Sequence, residues 1–219
     1  MKRSLLTLVI AATLIVAAPL AFAQAATASA KAKTAVTAGS PSQLVLANST
    51  RVLATLEARR AEFNKDRNAL QEFVSSEFST MFDRDYAGRL VLGTHGRGAS
   101  DAEVKLFADA LAENLMKRYG SSLLDFNTAL KVRIKSETSL RNGAIVRVSS
   151  EMLRSGGEPI PVDYLMRKVG SQWKVFDVMV EGVSFVQTFR NQFDAPLKRK
   201  SITQVAADLK AGKLQTSSN

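Results

Sequence analysis

Cysteine is absent from this chain of 219 residues, and histidine and tryptophan occur only once each. The lack of cysteine excludes thiol catalysis, cysteine-bound zinc, iron–sulfur clusters and disulfides, so we expect burial of apolar surface alone to hold the fold. The single histidine, His95, cannot build a metal site from several imidazoles. After the N-terminus no stretch approaches the ~20 consecutive apolar residues of a membrane-spanning helix. Several classes of enzyme and of integral membrane protein are therefore not expected.

The first 23 residues have the composition of a secretory signal peptide. Lys2 and Arg3 form a basic start, an apolar run covers residues 5–18, and the small-x-small cleavage motif A-F-A lies at residues 21–23. The run is short for a spanning helix, which makes a permanent anchor the less favoured alternative. Cleavage after the motif would leave 219 − 23 = 196 residues. We expect export to the periplasm.

The chain carries a formal net charge of +10, or +8 once Lys2 and Arg3 are removed (10 − 2). A basic balance is typical of proteins that meet nucleic acid, an anionic membrane surface or acidic proteins. An exported protein rarely meets nucleic acid, so a membrane or protein partner is favoured, with solubility alone as the alternative. The run K-R-K at residues 198–200 is a candidate docking element.

Residues 43–212 are predicted to form one α+β domain. The Ala-, Thr-, Ser- and Lys-rich residues 24–42 are predicted to be a disordered leader, and residues 213–219 a flexible tail. Apolar residues recur with a period near 3.6 up to residue 119, which predicts helices. Ser100 and Glu103 form an S-x-x-E capping box at the start of the last of them.

After residue 129 the apolar period changes to two, which predicts four strands joined by turns at residues 156–157 and 170–171. The strand at residues 173–180 is apolar on both faces and is predicted to be central. Helical patterning returns at about residues 184–190 and at residues 202–211. The predicted fold is a twisted four-stranded antiparallel sheet covered by N-terminal and C-terminal helices, with an apolar cavity between them.

Three features of the sequence are candidates for a chemical role. His95 lies in a Gly-rich loop without a nearby orienting carboxylate, which favours an exposed surface residue over a general base. The loop lacks the Lys-Ser/Thr ending of a nucleotide phosphate loop, although Arg97 lies near a helix N-terminus that attracts anions. Asp177 lies in an apolar strand, where a structural hydrogen-bond acceptor is favoured over a catalytic acid.

A specific motif covers residues 173–184, with the sequence W-K-V-x-D-V-x-x-E-G-V-S. Three flanking features occur in order around it: L-V-L-G at residues 90–93, A-S-D-A-E at residues 99–103, and the pair Arg190 and Phe193. Over about residues 43–211 the chain resembles the MlaC family of toluene-tolerance auxiliary proteins. It departs from the family pattern at residues 94–96 and in its long leader, which affects the expected loop and partner details.

The resemblance implies a periplasmic carrier without catalysis or cofactor, with phospholipid as its cargo. It implies exchange with an outer-membrane lipoprotein complex and an inner-membrane ABC-type transporter complex, which maintains outer-membrane lipid asymmetry. We expect a monomer that does not bind nucleic acid. The alternatives are a small-molecule enzyme, which would need polar side chains converging in the cavity, and a non-catalytic binding module on a cone-like α+β scaffold.

The predicted lipid-binding residues are apolar positions on one side of the strands, on the capped helix and after the fourth strand. They are Phe107, Leu111, Leu115, Val146, Val148, Val162, Tyr164, Met166, Val183 and Phe185. A charge introduced here, as in Leu111→Glu or Met166→Lys, is expected to abolish lipid binding.

Overall fold

The structure, a computed structural model, describes residues 39–119, 124 and 130–214. The predicted signal peptide at residues 1–23, the predicted leader up to residue 38 and the predicted tail after residue 214 lie outside this part of the chain. The signal peptide, the leader and the tail therefore stay predictions.

Helices both precede and follow the strands of the sheet along the chain. Those before it are α1 (Pro41–Ala58), α2 (Arg60–Lys65), α3 (Arg67–Met81), α4 (Arg84–Leu92) and α5 (Asp101–Tyr119), with a 3-10 turn, Gly93–Gly96, after α4. Those after it are α6 (Phe185–Leu197) and α7 (Ile202–Lys210). This segregation of helices from strands confirms the predicted α+β class.

Helix α1 begins two residues before the predicted start of the domain. The Ser40 hydroxyl accepts a hydrogen bond from the backbone N–H of Gln43, and Pro41 occupies the first helical turn. Proline is tolerated there because the N–H that it lacks would have no partner within the helix. Composition extends the predicted leader to residue 42, whereas this local capping signal starts the helix earlier.

Helix α5 begins with the predicted capping box. The backbone N–H of Ser100 donates to the Glu103 carboxylate at 2.9 Å, and the backbone N–H of Glu103 donates to the Ser100 hydroxyl at 3.2 Å. The two side chains satisfy N–H groups that the start of a helix leaves free. A second capping box, formed by Ser201 and Gln204, starts α7.

The sheet is antiparallel, with the strand order β1 (Lys131–Leu140), β2 (Ile145–Leu153), β3 (Ile160–Val169), β4 (Gln172–Val180) and β5 (Val183–Ser184). The four predicted strands and both predicted turns are confirmed. Strand β5 has two residues, too few for a period-two pattern to predict. Strand β4 has β3 on one edge and β5 on the other, and the backbone of Phe82 also bridges to Val175.

Among the described residues, strand β1 lies at one edge of the sheet and β5 at the other. The ladder of β1 with β2 has a bulge after Ile134. The exposed side chains of this half of the strand are Lys131, Arg133 and Lys135, and the last two share the carboxylate of Glu151 on β2. Bulges and lysines on an edge strand hinder its pairing with another sheet.

The two sides of the sheet differ in polarity. Cross-strand partners in an antiparallel sheet point to the same side. The register of β2 and β3 therefore gathers five predicted binding residues on one side, which we call the apolar face: Val146, Val148, Val162, Tyr164 and Met166. On the opposite side, the polar face, Arg147 forms an ion pair with Asp163.

Different helices approach the two faces. Helix α1 lies on the apolar face, where Val45 joins the buried cluster of the sheet. Helix α4 approaches the polar face, because its Tyr86 meets the Phe176 ring edge-on at 5.2 Å and lies 4.1 Å from the Arg167 guanidinium. Arg167 follows Met166 in β3 and so points to the opposite side of the sheet.

Candidate functional site

The apolar face carries a small cluster of buried side chains. This sheet cluster consists of Val45, Val146, Val148, Met166 and Val175. Around it, five large side chains are only partly buried: Phe82, Ile134, Tyr164, Trp173 and Val178. The face is therefore well covered where α1 crosses it and less completely covered elsewhere.

Two hydroxyl groups on this face have partners within the protein. The Tyr164 hydroxyl forms a hydrogen bond with Ser49 of α1, and burial raises the pKa of Tyr164. The Ser150 hydroxyl, itself buried, donates to the backbone carbonyl of Val162 at 2.9 Å. Because these two hydroxyls are satisfied internally, the face presents a mainly apolar surface to a ligand.

Helix α1 is fixed to the sheet at its first turn. The backbone N–H of Ser42 donates to the Glu137 carboxylate of β1 at 2.9 Å, and the Ser42 hydroxyl donates to the same oxygen. A carboxylate at a helix N-terminus is favoured by the free N–H groups and by the helix dipole. The position of α1 over the apolar face is thus set by a polar contact as well as by Val45.

Helices α4 to α7 enclose a second and larger group of buried residues. This helical cluster consists of Val91, Leu92, Val104, Phe107, Ala110, Leu111, Phe189, Phe193, Leu197, Val205, Ala206 and Leu209. Burial of Phe189, Phe193 and Leu197 explains why α6 continues beyond residue 190, where the predicted helix ends. The Phe107 and Phe193 rings meet edge-on with centroids 5.6 Å apart, a favourable aromatic arrangement.

The ten predicted binding residues fall into three groups. The five strand residues share the apolar face. Phe107 and Leu111 are buried in the helical cluster, and Leu115 packs against it. Val183 and Phe185, at the junction of β5 and α6, are 54% and 39% exposed, and Phe185 stacks on Phe189 at 6.1 Å. Among the described residues, the α5 group and the strand group do not belong to a common cluster.

The family of this chain follows from a comparison with known protein families. The family described as MlaC protein matches residues 47–211, well over half of the chain. The chain belongs to the MlaC family. The resemblance predicted from the motif at residues 173–184 is confirmed.

Relatives and solved structures agree with this MlaC assignment. The chain is 25% identical over 166 residues to the Toluene tolerance protein ttg2D of Pseudomonas putida, covering 75% of this chain and 76% of that protein. It is also 25% identical over 163 residues to the Intermembrane phospholipid transport system binding protein MlaC of Haemophilus influenzae, covering 73% and 76%. A phospholipid-binding protein from Ralstonia solanacearum, solved in complex with a phospholipid, shares the fold: the TM-score is 0.68 at 22% identity, over 78% of this chain and 97% of that one.

The prediction from sequence missed part of the apolar face of this MlaC-family chain. Val175 is buried in the sheet cluster, and Val178 and Ile134 pack against it. Their period-two alternation was visible in the sequence, but alternation does not tell which strands lie side by side. Ser49 of α1 carried no signal, since its hydrogen bond to Tyr164 joins residues far apart in the chain.

Asp177 has the structural role that the sequence favoured. Its buried carboxylate accepts hydrogen bonds from the Ser184 hydroxyl at 2.6 Å and from the backbone N–H of Val186 at 3.0 Å. Burial raises the pKa of Asp177, and these hydrogen bonds to the charged form act against that rise. The residue holds the start of α6 against β4 on the side of the sheet opposite the apolar face.

His95 is not the exposed residue that its loop suggested. Its Nε2 atom lies 2.9 Å from Oδ1 of Asp194 on α6, and its side chain is only 22% exposed. Lys198 contacts the other carboxylate oxygen of Asp194 at 2.6 Å. The pKa of Asp194 is lowered, first by the hydrogen bond from Lys198 and then by that from His95. An orienting carboxylate is therefore present, but 99 residues away in sequence.

The cationic elements singled out in the sequence are partly neutralised. Lys198 pairs with Asp194, and Lys200 pairs with Asp208, so Arg199 is the member of the K-R-K run outside these two ion pairs. Near Arg97, the first turn of α5 already contains the carboxylates of Asp101 and Glu103. Both features reduce the attraction of these segments for an anionic ligand.

The described part of the chain has neither a membrane-spanning helix nor a metal-binding group of side chains. None of its helices is long and apolar enough to cross a membrane. Residues 39–119, 124 and 130–214 also contain no group of three or more His, Asp or Glu side chains arranged to hold a metal ion.

Proposed function

We propose that this protein carries phospholipids across the periplasm, with the acyl chains held against the apolar face of the sheet. The proposal draws on membership of the MlaC family and on relatives and a structural neighbour that are named for phospholipid transport or binding. The observation that carries it is the incomplete cover of the apolar face, where large side chains around the sheet cluster remain partly accessible.

The physical chemistry of lipid transfer requires such a surface. Two acyl chains contain roughly 30 methylene groups, and each is worth about 0.8 kcal/mol when it leaves water. A free lipid in the aqueous periplasm is therefore strongly disfavoured. Transfer from a bilayer to an apolar protein surface exchanges one oily environment for another, so its net free energy is small. A small net change permits both loading and release.

The polar groups of the described chain favour a carrier over the alternative of a small-molecule enzyme. On the apolar face, the Tyr164 hydroxyl is bonded to Ser49 and the Ser150 hydroxyl to a backbone carbonyl. Asp177 points to the opposite face and holds the start of α6. Acid–base catalysis needs polar groups within reach of a common substrate atom, and these groups are separated and already engaged.

We place the carrier in the periplasm, exported by the predicted signal peptide at residues 1–23. Its exchange partners would be an outer-membrane lipoprotein complex and an inner-membrane ABC-type transporter complex. In this role the chain acts as a monomer, without catalysis and with phospholipid as its cargo.

The test is the lipid content of the protein purified from the periplasm of a Gram-negative host. We expect native mass spectrometry and solvent extraction to give phospholipid at a constant ratio to the folded chain. Met166→Lys places a charge in the sheet cluster, where a charge without a partner is strongly disfavoured. We expect this variant to lose most of its phospholipid.

The matched control is Val169→Lys on the same strand. Val169 is 41% exposed and lies three residues after Met166, on the opposite face. Its lipid content should equal that of the parent. The carrier proposal is wrong if the folded parent protein contains no lipid and takes up none from vesicles. Equal lipid content in the two variants would remove Met166 from the site.

A further inference from the structure

One row of residues crosses the whole sheet on the apolar face. Ile134, Ser150, Val162, Val180 and Val183 are successive cross-strand partners from β1 to β5. Since paired residues point to the same side of an antiparallel sheet, all five belong to the apolar face. No bulge interrupts the pairing along this row.

Burial decreases along the row toward β5. Ser150 and Val162 in the middle are 4% and 5% exposed, Val180 is half-buried, and Val183 is 54% exposed. Val183 is the most exposed of the large apolar side chains in the described chain. The others with high exposure lie elsewhere, on α1, at the ends of β1 and β3, and at the first residue of α6. Among these exposed residues, Val183 is the one whose cross-strand row leads to the buried centre of the face.

The hairpin that joins β4 to β5 fixes the position of the β5 edge. The turn residues Glu181 and Gly182 have φ values of +52° and +83°, and two positive values are what a two-residue type I′ hairpin requires. The backbone N–H of Glu181 donates to the carbonyl of Pro161 at 3.0 Å. On the other side of the sheet, Asp177 binds the Ser184 hydroxyl. The exposure of Val183 is therefore a fixed feature of the hairpin.

We propose that the β5 edge is the portal through which phospholipid acyl chains reach the apolar face, and that Val183 is the first side chain they cross. This inference rests on the proposed carrier function and adds a route to it. A chain that slides from Val183 over Val180 to Val162 stays in contact with apolar side chains throughout. Such a route keeps its methylene groups away from water during entry and release.

The absence of cysteine makes a reversible block practical. Val183→Cys gives a single thiol, which is modified with a bulky polar methanethiosulfonate reagent and freed again with a reductant. The measured quantity is the rate at which NBD-labelled phosphatidylethanolamine passes from phosphatidylethanolamine/phosphatidylglycerol vesicles to the protein. We expect modification to slow this rate about tenfold or more, because every acyl chain must pass a bulky polar group. Reduction should restore the rate.

The matched control is Val169→Cys, which carries the same label on an exposed valine of the opposite face. Its transfer rate should not change on modification. A second variant, Val183→Asp, needs no label and should slow loading and release together. The label acts on a protein that has already folded, so a folding defect cannot produce the reversible effect.

The outcomes separate the portal from the carrier function. If the modified Val183→Cys protein exchanges lipid at the unmodified rate, or if both labelled variants slow equally, the portal assignment is wrong while the carrier function stands. If the unmodified proteins take up no lipid from vesicles, both proposals fail. A reversible slowing confined to position 183 supports the portal.

Discussion

The helical cluster and the sheet cluster differ in how completely they are closed. The first has twelve buried residues contributed by four helices, and they include an aromatic pair, Phe107 and Phe193. The second has five buried residues, and as many large side chains around it remain partly accessible. Six partly buried apolar residues also surround the first cluster, but its buried residues outnumber them two to one, so it is the more completely closed of the two. We expect the helical cluster to contribute most to stability, and the proposed binding site to lie at the less completely closed sheet cluster.

The largest effect on stability is expected from a cavity in the helical cluster. Phe107 is fully buried there. Phe107→Ala should lower the free energy of unfolding by about 3–5 kcal/mol, the usual cost of a large aromatic side chain lost from a core. Urea denaturation measures this loss. The lipid content per folded molecule should not change, because the residue lies outside the sheet cluster.

The same experiment tests the original grouping of binding residues. If folded Phe107→Ala lacks lipid while its secondary structure is intact, the α5 residues contribute to the binding site after all. The sequence-based prediction treats Leu111→Glu and Met166→Lys as equivalent. Because both residues are buried, we expect each change to lower the free energy of unfolding. Among the molecules that remain folded, we expect only Met166→Lys to lack lipid.

Asp177, which fastens α6 to the sheet, is tested by its response to pH. Burial raises its folded-state pKa above the unfolded value, so the folded protein takes up this proton first as the pH falls. Protonation of Asp177 therefore adds to the free energy of unfolding. This contribution is fully present below the pKa that Asp177 has in the unfolded chain, and it is lost as the pH rises through its folded-state pKa. Asp177→Asn lacks this contribution and should lose more stability than the parent on acidification from about pH 7 to about pH 4.

The measurement is the urea unfolding free energy of both proteins at several pH values. The difference in slope is bounded by about 1.4 kcal/mol per pH unit, the limit for one titrating group. Parallel pH profiles for Asp177→Asn and the parent would mean that the buried carboxylate does not titrate differently on folding. Ser184→Ala, which removes one of its hydrogen-bond donors, is the companion variant.

The smallest expected effect concerns the attachment of α1 to the sheet. Tyr164→Phe removes the hydroxyl that bonds Ser49 and should cost about 1 kcal/mol of stability, a typical value for one hydrogen bond. Ser49→Ala should cost a similar amount. Because loss of both partners leaves neither group unsatisfied, the double variant should be more stable than the sum of the single losses predicts. Strict additivity in this cycle would argue that the contact contributes nothing.

Local signals made much of the fold predictable. The Ser100–Glu103 capping box, the Gly pair at residues 156–157 and the turn at residues 170–171 each specify a backbone conformation through nearby residues. Period-two alternation placed Val146, Val148, Val162, Tyr164 and Met166 on a common face, and the register bears this out. The resemblance of residues 173–184 to a known family was sufficient to predict the family.

The rest depended on contacts that sequence patterns do not encode. The apolar stripe of α5 indicates that Phe107 and Leu111 are buried, but not that helices rather than strands cover them. The pairing of His95 with Asp194 spans 99 residues. Strand β5 is defined by its two partners on β4, Met179 and Val180, and not by any periodicity of its own. Each of these features arises only when distant segments pack together.

The bulge and the cations of edge strand β1 affect how the protein behaves at high protein concentration. A protein that keeps an oily surface partly uncovered for its cargo is exposed to self-association, and an open ladder of backbone groups would add a second route to it. That ladder is a poor template for a neighbouring copy, because it has the bulge after Ile134 and the cations of Lys131, Arg133 and Lys135. The β1 edge therefore adds little to the tendency of the protein to self-associate.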